Sequence, residues 1–479
     1  MIGERFRTVC AEFPDAVAVV AGDERITYQQ LAARQAWFRR HLAGPLGVGE
    51  GDLVAACLSN RWEFIAAFLA AADLGAIFMP FNTNWRVEEL RWFAERLCPS
   101  AVITDNAHRE PWDRLDARIP HERVVVVDSP EVRTAFDGDS PVAGGSFGDH
   151  PALYLLTSGS TGRPRVVPRT HRMLLAGARN VSRALGVSAG QRFLSVVPFH
   201  HANGFANSMF LPLMNGATVV LMDRFVPAKL IEMVERERIQ VLIGSPFIFS
   251  LLAEQEIPPG ALASLEISLS SGAPMSAALK VRCRERLGIH VRQLYGSSET
   301  GTISIEPAGS APLEGSVGVP VPEVEVRILD GEIAVRGPTT MPGYVAEPEL
   351  NQELFRDGFF RTGDLGELDE RNNLRICGRV KRMINVGGIK VDPVEIENVL
   401  LMLPAVRQCR VQGMTDHRET EIIKAEVAPD PRQPVSRAQI VEHCRGHLAE
   451  YKIPRIIEFV GGITVDLAGK SPATWREEK

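Results

Sequence analysis

The sequence predicts a mixed α/β fold. We expect a large N-terminal domain of layered sheets and helices that includes a small barrel-like β part, followed by a small α+β C-terminal domain. Helical and strand patterns alternate through roughly the first 380 residues, which is typical of layered α/β structure. The segment Ser304–Val335 differs, because its short runs rich in Val, Ile, Gly and Pro indicate small strands in a barrel or an edge sheet. About the last 100 residues show capped helices alternating with strands, a pattern that predicts a separate domain with its own core.

The length of the chain supports this division. Its 479 residues exceed what one hydrophobic core usually holds, and we place two domains at residues 1–380 and 381–479. The net charge of −6 provides no basic field for nucleic acid, so no nucleic-acid partner is expected.

The apolar segments and the cysteines predict the cellular compartment of the protein. The longest apolar stretch, Phe64–Phe81, is interrupted by Asp73, Gly75 and Pro80, and predicts an alanine-rich buried helix that passes into a strand. We therefore expect no membrane insertion. The seven cysteines are dispersed without a CxxC pair, and the first residues lack the apolar core of a secretory signal. These features predict a cytoplasmic protein.

A loop rich in hydroxyls and glycines is the first candidate for chemistry. Ala152–Leu156 is predicted as a buried strand, and Leu174, Ala178, Val181 and Leu185 have helical spacing. Between them, hydroxyl side chains alternate with glycines that let backbone N–H groups converge, which is how chains wrap phosphate oxygens. The loop residues are Thr157, Ser158, Gly159, Ser160, Thr161 and Gly162. They lack the G-x-x-x-x-G-K-[ST] pattern of a P-loop. A loop of this composition without further motifs is usually a connecting loop with no binding function.

The C-terminal domain is predicted from its helix starts. Asp392-Pro393-Val394-Glu395 has a cap, a proline at the first helical position and a glutamate that reaches back. Ser436 and Gln439 form a second capping box, and strands are expected at Glu421–Val427 and Arg455–Val460.

Four ordered motifs carry a resemblance to a known family. "LLTSGSTGRPRVVPRTH" is similar to the phosphate-binding motif of the acyl-adenylate-forming (AMP-binding) superfamily, which comprises acyl-CoA synthetases, peptide-synthetase adenylation domains and luciferases. "LYGSSETG" resembles its adenylate motif, and Phe359–Leu400 resembles three further motifs in the expected order. The likeness covers nearly the whole chain. It implies that ATP, Mg²⁺ and CoA, or the phosphopantetheine of a carrier protein, take part in activating a carboxylic acid.

The resemblance implies a nucleotide site. The loop 157–162 would hold the β- and γ-phosphates with Arg165, which stands with Val166 where relatives usually have lysine and glycine. Glu299 would bind Mg²⁺ as a catalytic residue and the metal ligand. Asp364 would accept hydrogen bonds from the ribose hydroxyls, reinforced by Arg379. Tyr295 would stack on adenine, within a nucleotide-binding set that also includes Gly272, Ala273, Pro274, Gly296, Ser297 and Ser298.

The resemblance also implies a mobile C-terminal domain. Lys470 would be the catalytic lysine that bridges the substrate carboxylate and the α-phosphate, although Ser471-Pro472 follows where relatives continue with a basic tail. Lys381 occupies the hinge about which the small domain would move between the two half-reactions. Gly387 and Gly388 would let the arm of the thiol pass close to the backbone.

The acyl pocket is expected to follow "VPFHHANGF". His201 takes the place of the motif histidine, as a catalytic or gating residue, and a core histidine is the alternative. The other expected pocket residues are Asn203, Gly204, Ser245, Pro246 and Ser271. None offers a negative charge to an α-amino group, so we expect an aromatic or modest aliphatic carboxylic acid rather than an α-amino acid.

Three functions remain open from the sequence. The first is an ATP-dependent acid–thiol ligase that adenylates the acid, releases pyrophosphate and transfers the acyl group to CoA with release of AMP. The second is a freestanding adenylation enzyme that loads the acid onto the phosphopantetheine arm of an acyl or peptidyl carrier protein. The third is a nucleotide-binding protein that has lost catalysis, which Arg165, Val166 and the atypical tail would suggest. A serine hydrolase is disfavoured, because "YGSSETG" lacks the G-x-S-x-G spacing.

Overall fold

The computed structural model of the chain describes most residues of both predicted domains. The described residues are 1–85, 87–115, 119–129, 132, 147–158, 164–309, 315–380, 384–386, 389–391, 393–415 and 421–463. Among these residues, no helix is both long enough and apolar enough to cross a membrane.

Twenty-five strands are described. In chain order the first fourteen are β1 Val17–Ala21, β2 Glu24–Thr27, β3 Leu53–Cys57, β4 Ile77–Pro80, β5 Ala101–Thr104, β6 Val124–Val126, β7 Pro151–Ser158, β8 Pro164–Thr170, β9 Arg192–Ser195, β10 Thr218–Leu221, β11 Val241–Gly244, β12 Ile267–Ser270, β13 Val291–Ser297 and β14 Gly301–Ile305. The others are β15 Val319–Pro320, β16 Glu325–Leu329, β17 Glu332–Arg336, β18 Phe355–Arg356, β19 Phe359–Leu368, β20 Leu374–Arg379, β21 Ile384–Val386, β22 Ile389–Val391, β23 Val406–Thr415, β24 Glu421–Pro429 and β25 Ile456–Phe459.

Helices alternate with these strands. The described α-helices are Ile2–Glu12, Tyr28–Ala43, Trp62–Leu74, Val87–Leu97, Glu110–Asp113, His171–Leu185, Leu211–Met214, Pro227–Glu237, Pro246–Ala253, Ala277–Leu287, Pro348–Leu354, Pro393–Met402 and Arg437–His447. A π-helix covers Gly204–Phe210, and short 3-10 turns cover His121–Arg123 and Glu450–Lys452.

Two large sheets form the centre of the N-terminal part. The nine-stranded sheet has the order β15-β14-β13-β12-β11-β9-β10-β1-β2, and its strands from β13 to β1 run parallel. The six-stranded sheet has the order β6-β5-β3-β4-β7-β8 and is parallel except for the antiparallel pair β7–β8. Parallel strands connected through helices build a layered α/β structure, so the predicted fold class is confirmed.

The apolar stretch Phe64–Phe81 folds as expected. It forms the helix Trp62–Leu74 and then β4, and nearly every helical residue is buried. Phe64 and Phe68 pack edge-on against Phe78, with ring centroids 5.1 and 5.7 Å apart. A helix that is apolar on every side belongs in a core between layers. Gly75 ends it in a left-handed conformation, at a φ of 71°.

The segment Ser304–Val335 contributes to two sheets. The strands β14 and β15 extend the edge of the nine-stranded sheet, whereas β16 and β17 start an antiparallel five-stranded sheet with β18, β19 and β20. The prediction of several small strands is therefore correct, and the antiparallel sheet is the part that was expected to be barrel-like.

The C-terminal part has its own core. The strands β23, β24 and β25 form a three-stranded sheet, and the helices Pro393–Met402 and Arg437–His447 pack together with it around buried Ile396, Ile423 and Ile440. The Ser436–Gln439 capping box is present. The sequence interpretation missed β23, which pairs with β24 along its whole length.

Candidate active site

Several predicted site residues lie at the carboxyl ends of neighbouring strands in the nine-stranded sheet. The strands β11, β12 and β13 are parallel neighbours, and in α/β sheets the carboxyl ends of such strands form ligand sites. Ser245 and Pro246 follow β11, Ser271 to Pro274 follow β12, and Gly296 to Ser298 end β13 and begin the next turn. The Ser271 N–H donates to the Gly244 carbonyl at 2.9 Å, which ties the first two groups together.

The phosphate-loop motif lies in a β-hairpin. Thr157 pairs with Arg165, and Ser158 pairs with Pro164, so the described strands converge directly on the loop. The sequence interpretation missed β8, because Pro164 and Pro168 make the segment look unlike a strand. Since β8 is the edge strand of its sheet, both prolines are tolerated there.

Glu299 is held by a residue from a distant segment. The Tyr344 hydroxyl donates to Glu299 Oε1 at 2.8 Å, and no described residue donates a hydrogen bond to Oε2. Burial and the charge of Glu299 raise the pKa of Tyr344, so the phenol stays a donor. The guanidinium carbon of Arg165 lies 5.4 Å from the centroid of the Tyr344 ring. The Val345 N–H donates to the Val166 carbonyl at 3.1 Å, so this segment contacts both the hairpin and Glu299.

The turn that carries Glu299 is closed by its own hydroxyls. Ser297 Oγ accepts hydrogen bonds from the N–H groups of Glu299 at 3.2 Å and Thr300 at 3.3 Å. A Cβ at Gly296 would stand 2.3 Å from the Gly301 carbonyl oxygen, so the close pairing of β13 with β14 requires a glycine.

Arg169 lies beneath this turn. Only 4% of the residue is exposed, and its Nη1 donates to the Thr339 carbonyl at 2.6 Å. Longer contacts of 3.4 Å reach the carbonyls of Ser298 and Glu299. The Met341 N–H also donates to the Glu299 carbonyl, at 2.8 Å.

Asp364 is a second buried carboxylate, 5% exposed. Its Oδ2 accepts from the Tyr295 hydroxyl and its Oδ1 from Arg379 Nε, both at 2.6 Å. Burial and the charge of Asp364 raise the pKa of Tyr295 well above its ordinary value. The Tyr295 ring lies in an apolar cluster with Ile303 and Ile333. Stacking of this ring on adenine stays a prediction.

Three predicted acyl-pocket residues, His201, Asn203 and Gly204, lie at the start of the π-helix. His200 and His201 lie side by side, with ring centroids 4.2 Å apart. Asn203 Oδ1 accepts from Asn207 Nδ2 at 3.0 Å. A Cβ at Gly204 would stand 2.4 Å from the Pro198 carbonyl oxygen, which explains the glycine.

Ser245 and Gly272 follow the neighbouring strands β11 and β12. The π-helix contacts β11, at whose end the Ser245 hydroxyl is buried without a hydrogen-bond partner among the described residues. Gly272 has a φ of 89°, which favours glycine, and Ala273 and Pro274 follow it.

Other predicted site residues lie outside the part of the chain that the structure describes. Lys470, Lys381, Gly387 and Gly388 lie outside the described residues, as do Gly159, Ser160, Thr161 and Gly162, and Ser158 is described only through its backbone. Their roles stay predictions.

Two residues that sequence reasoning missed complete the described network. Tyr344 is 45 positions from the glutamate to which it donates, and no local pattern marks it. Arg169 lies in the strand β8, which the sequence interpretation missed, so its burial could not be expected from the local pattern.

Comparisons with known proteins agree with the motifs. The model of the AMP-binding enzyme family matches residues 6–345, and that of the AMP-binding enzyme C-terminal domain matches residues 395–470. Feruloyl-CoA synthase of Amycolatopsis sp is 32% identical, over 95% of this chain and 94% of the relative. A long-chain-fatty-acid–CoA ligase of Mycobacterium tuberculosis is 30% identical, over 94% of this chain and 92% of the relative.

A solved structure extends the agreement to the fold. O-succinylbenzoate coenzyme A synthetase from Bacillus subtilis, in complex with ATP and magnesium ion, superposes with a TM-score of 0.86 at 27% identity and covers 98% of both chains. Both the sequence and the fold confirm the predicted superfamily. The chain belongs to the AMP-binding enzyme family.

Proposed function

We propose that this AMP-forming acyl-CoA synthetase activates an aromatic or modest aliphatic carboxylic acid at the carboxyl edge of its nine-stranded sheet. The acid oxygen attacks the α-phosphorus of ATP, forming an acyl-adenylate and releasing pyrophosphate. The CoA thiol then attacks the acyl carbon, forming a thioester and releasing AMP. One observation carries the proposal. The carboxylates of Glu299 and Asp364 both lie in motifs that resemble the nucleotide-binding motifs of the family, and each is held by its own hydrogen-bond donors.

The described residues suit the parts of a nucleotide. Asp364 is fixed by Tyr295 and Arg379 and would accept hydrogen bonds from the ribose hydroxyls. Arg165, opposite Thr157 at the base of the hairpin, would supply positive charge to the leaving pyrophosphate. Nucleotidyl transfer depends mainly on position and charge neutralisation, so a fixed carboxylate for the ribose and a cation for the pyrophosphate are appropriate.

Glu299 fits a magnesium ion. A carboxylate with one oxygen held by Tyr344 and the other without a donor from the described residues offers a hard ligand in a fixed orientation. Mg²⁺ in such sites is usually held by one or two carboxylates together with substrate phosphates. When bound, the ion would neutralise phosphate charge, and Glu299 would hold it.

The acid is proposed from the pocket residues. Asn203 is already bonded to Asn207, and Ser245 and Ser271 are small and uncharged. None of them offers a charge to an α-amino group. The two relatives act on ferulate and on long-chain fatty acids by name, so the family accommodates both aromatic and aliphatic acids.

The other predictions complete the proposal. Lys470 would neutralise charge that grows as the carboxylate attacks, with the division at residue 380, the hinge at Lys381 and the thiol path at Gly387 and Gly388. The cofactors would be ATP, Mg²⁺ and CoA, and a carrier protein stays the alternative acceptor.

Acid-dependent exchange of labelled pyrophosphate into ATP tests the first half-reaction. A panel should contain a hydroxycinnamate, a short aliphatic acid, a long-chain fatty acid and an α-amino acid. We expect exchange with the first two. Exchange with the α-amino acid alone would refute the proposed substrate class, and nucleotide binding without exchange for any acid would favour a protein that has lost catalysis.

The second half-reaction separates the acceptors. Thioester formation with CoA is expected, whereas thioester on a phosphopantetheinylated carrier protein alone would overturn it. Lys470→Ala should raise the activation free energy of adenylation by about 3–4 kcal/mol, which lowers the exchange rate by a factor of roughly 100 to 1000. Lys229→Ala is the control, because Lys229 is an exposed lysine paired with Asp223 at 3.4 Å. Equal exchange rates in both variants would remove Lys470 from the mechanism.

A further inference from the structure

Arg169 is a buried cation whose partners are backbone carbonyls. It is 4% exposed, and among the described residues no carboxylate forms an ion pair with it. Burial lowers the pKa of Arg169 to about 10, while the charge of Glu299 opposes that change, so the side chain stays protonated at neutral pH. Burying arginine without a carboxylate is costly, and an apolar side chain of similar volume would avoid that cost.

The guanidinium connects three segments of the proposed site. Arg169 lies on β8, the strand that leaves the phosphate loop. Its Nη1 reaches the Thr339 carbonyl at 2.6 Å and the carbonyls of Ser298 and Glu299 at 3.4 Å. A guanidinium keeps its charge in such a buried position, whereas a buried lysine ammonium gives up its proton readily and would hold these carbonyls less well.

The turn is shaped around this side chain. Gly301 has a φ of 68°, and a Cβ there would stand 3.1 Å from Arg169 Nη2. The glycine that ends the "YGSSETG" motif therefore leaves the space that the guanidinium fills. The Met341 N–H holds the Glu299 carbonyl from a different direction, at 2.8 Å. The Glu299 backbone is thus fixed by two groups outside its own turn.

We propose that Arg169 is a positioning residue, which sets the Glu299 carboxylate relative to the phosphate hairpin so that both can act on one magnesium–nucleotide complex. This inference rests on the proposed function. Since its side chain donates to the carbonyls of Ser298, Glu299 and Thr339, Arg169 would act through the backbone of these residues. Its loss should therefore weaken the response to Mg²⁺ more than the response to the acid.

The test compares Arg169→Met, Arg169→Lys and Arg5→Met. Arg5 is the matched control, because it lies on the helix Ile2–Glu12, remote in sequence from every site motif, and its Nε also donates to a backbone carbonyl, that of Met214 at 2.9 Å. For each variant, pyrophosphate exchange is measured against Mg²⁺ at saturating ATP and against the acid. Magnesium–ATP binding is titrated separately by calorimetry, and melting temperatures are recorded.

Arg169→Met should raise the Mg²⁺ concentration for half-maximal exchange about tenfold or more, the usual effect of removing a residue that orients a metal ligand. Calorimetry should show a similar loss in magnesium–ATP affinity, while the KM for the acid changes less than about twofold. Arg169→Lys should shift the half-maximal Mg²⁺ concentration by a smaller factor. Arg5→Met should lower only the melting temperature.

A purely structural role predicts a different result. In that case Arg169→Met would have a lower melting temperature and a lower maximal rate, but the same Mg²⁺ concentration for half-maximal exchange as the wild type. That result would overturn the proposal. If the methionine variant does not fold, an unchanged Mg²⁺ response in Arg169→Lys overturns it equally. Should the wild type show no exchange with any acid, the proposed function fails, but calorimetry of magnesium–ATP binding still decides the role of Arg169.

Discussion

The hydrogen bond between Tyr295 and Asp364 permits a quantitative prediction. Tyr295→Phe keeps the ring in its apolar cluster and removes only the hydroxyl that donates to Asp364 Oδ2 at 2.6 Å. The carboxylate would then keep Arg379 on Oδ1 and lose the donor on its other, buried oxygen. A hydrogen bond to a charged group contributes about 1.5–3 kcal/mol, so we expect the free energy of unfolding to fall by about 2 kcal/mol.

The expected change can be measured in two ways. For a cooperative unit of roughly 380 residues, a loss of about 2 kcal/mol lowers the melting temperature by about 2–3 °C in calorimetry. If Asp364 holds the ribose, its freer carboxylate should also raise the KM for ATP in pyrophosphate exchange about five- to tenfold, which corresponds to roughly 1–1.4 kcal/mol.

Tyr28→Phe is the control for this experiment. The Tyr28 hydroxyl donates to the Ala217 carbonyl at 2.7 Å in the core of the N-terminal part, so its loss should cost about 1 kcal/mol and leave the KM for ATP unchanged. A role of the Tyr295 ring alone, by stacking on adenine, would be retained in Tyr295→Phe. A wild-type KM for ATP in that variant would therefore refute the reasoning about Asp364, and an equal rise in Tyr28→Phe would show that the effect is not specific.

Two further predictions concern stability. Gly318→Ala should destabilise the protein by at least about 4 kcal/mol, because φ is 84° and the new Cβ would stand 2.2 Å from the backbone of the adjacent strand. Gly22→Ala, with a φ of 62° and open space around it, should cost only about 1–2 kcal/mol, so similar unfolding midpoints in denaturant would contradict the steric argument. Burial, followed by the N-terminal ammonium and His150, lowers the pKa of His171 from 6.5 to about 4. The folded state therefore binds fewer protons than the unfolded state, and this contribution to stability is complete above pH 6.5 and is lost as the pH falls towards 4. His171→Gln should flatten that part of the curve of melting temperature against pH, and an unchanged slope would contradict this assignment.

Local patterns account for the parts of the fold that were predicted. Phe64–Phe81 indicated a helix and a strand because a buried helix is apolar on most sides and Gly75 marks where it ends, and Ser436 with Gln439 marked a helix start through groups three residues apart. The strand β8 was missed because its prolines are acceptable only at a sheet edge, and the neighbours of a strand do not follow from its own sequence.

The site was predicted only as far as motifs extend. Asp364 and Glu299 lie within motifs that the resemblance assigned, but the residues that orient them come from elsewhere in the chain. Tyr344 reaches Glu299 across 45 positions, and Arg169 reaches Thr339 across 170. Contacts at such separations depend on how the sheets are ordered, which no local spacing reveals.

Arg165 and Val166 are the two departures in the phosphate-loop motif that would suggest lost catalysis. Both depart from the lysine and glycine that the resemblance implies, yet both side chains have defined surroundings, and the Arg165 guanidinium lies over the Tyr344 ring. The Val166 side chain is only 8% exposed and belongs to a core cluster. Because Tyr344 also holds Glu299, Arg165 takes part in the arrangement around the proposed metal ligand. A glycine at position 166 would lose those apolar contacts and add backbone freedom at the base of the loop. The departures are therefore better explained as an alternative way to hold an intact site than as traces of its decay.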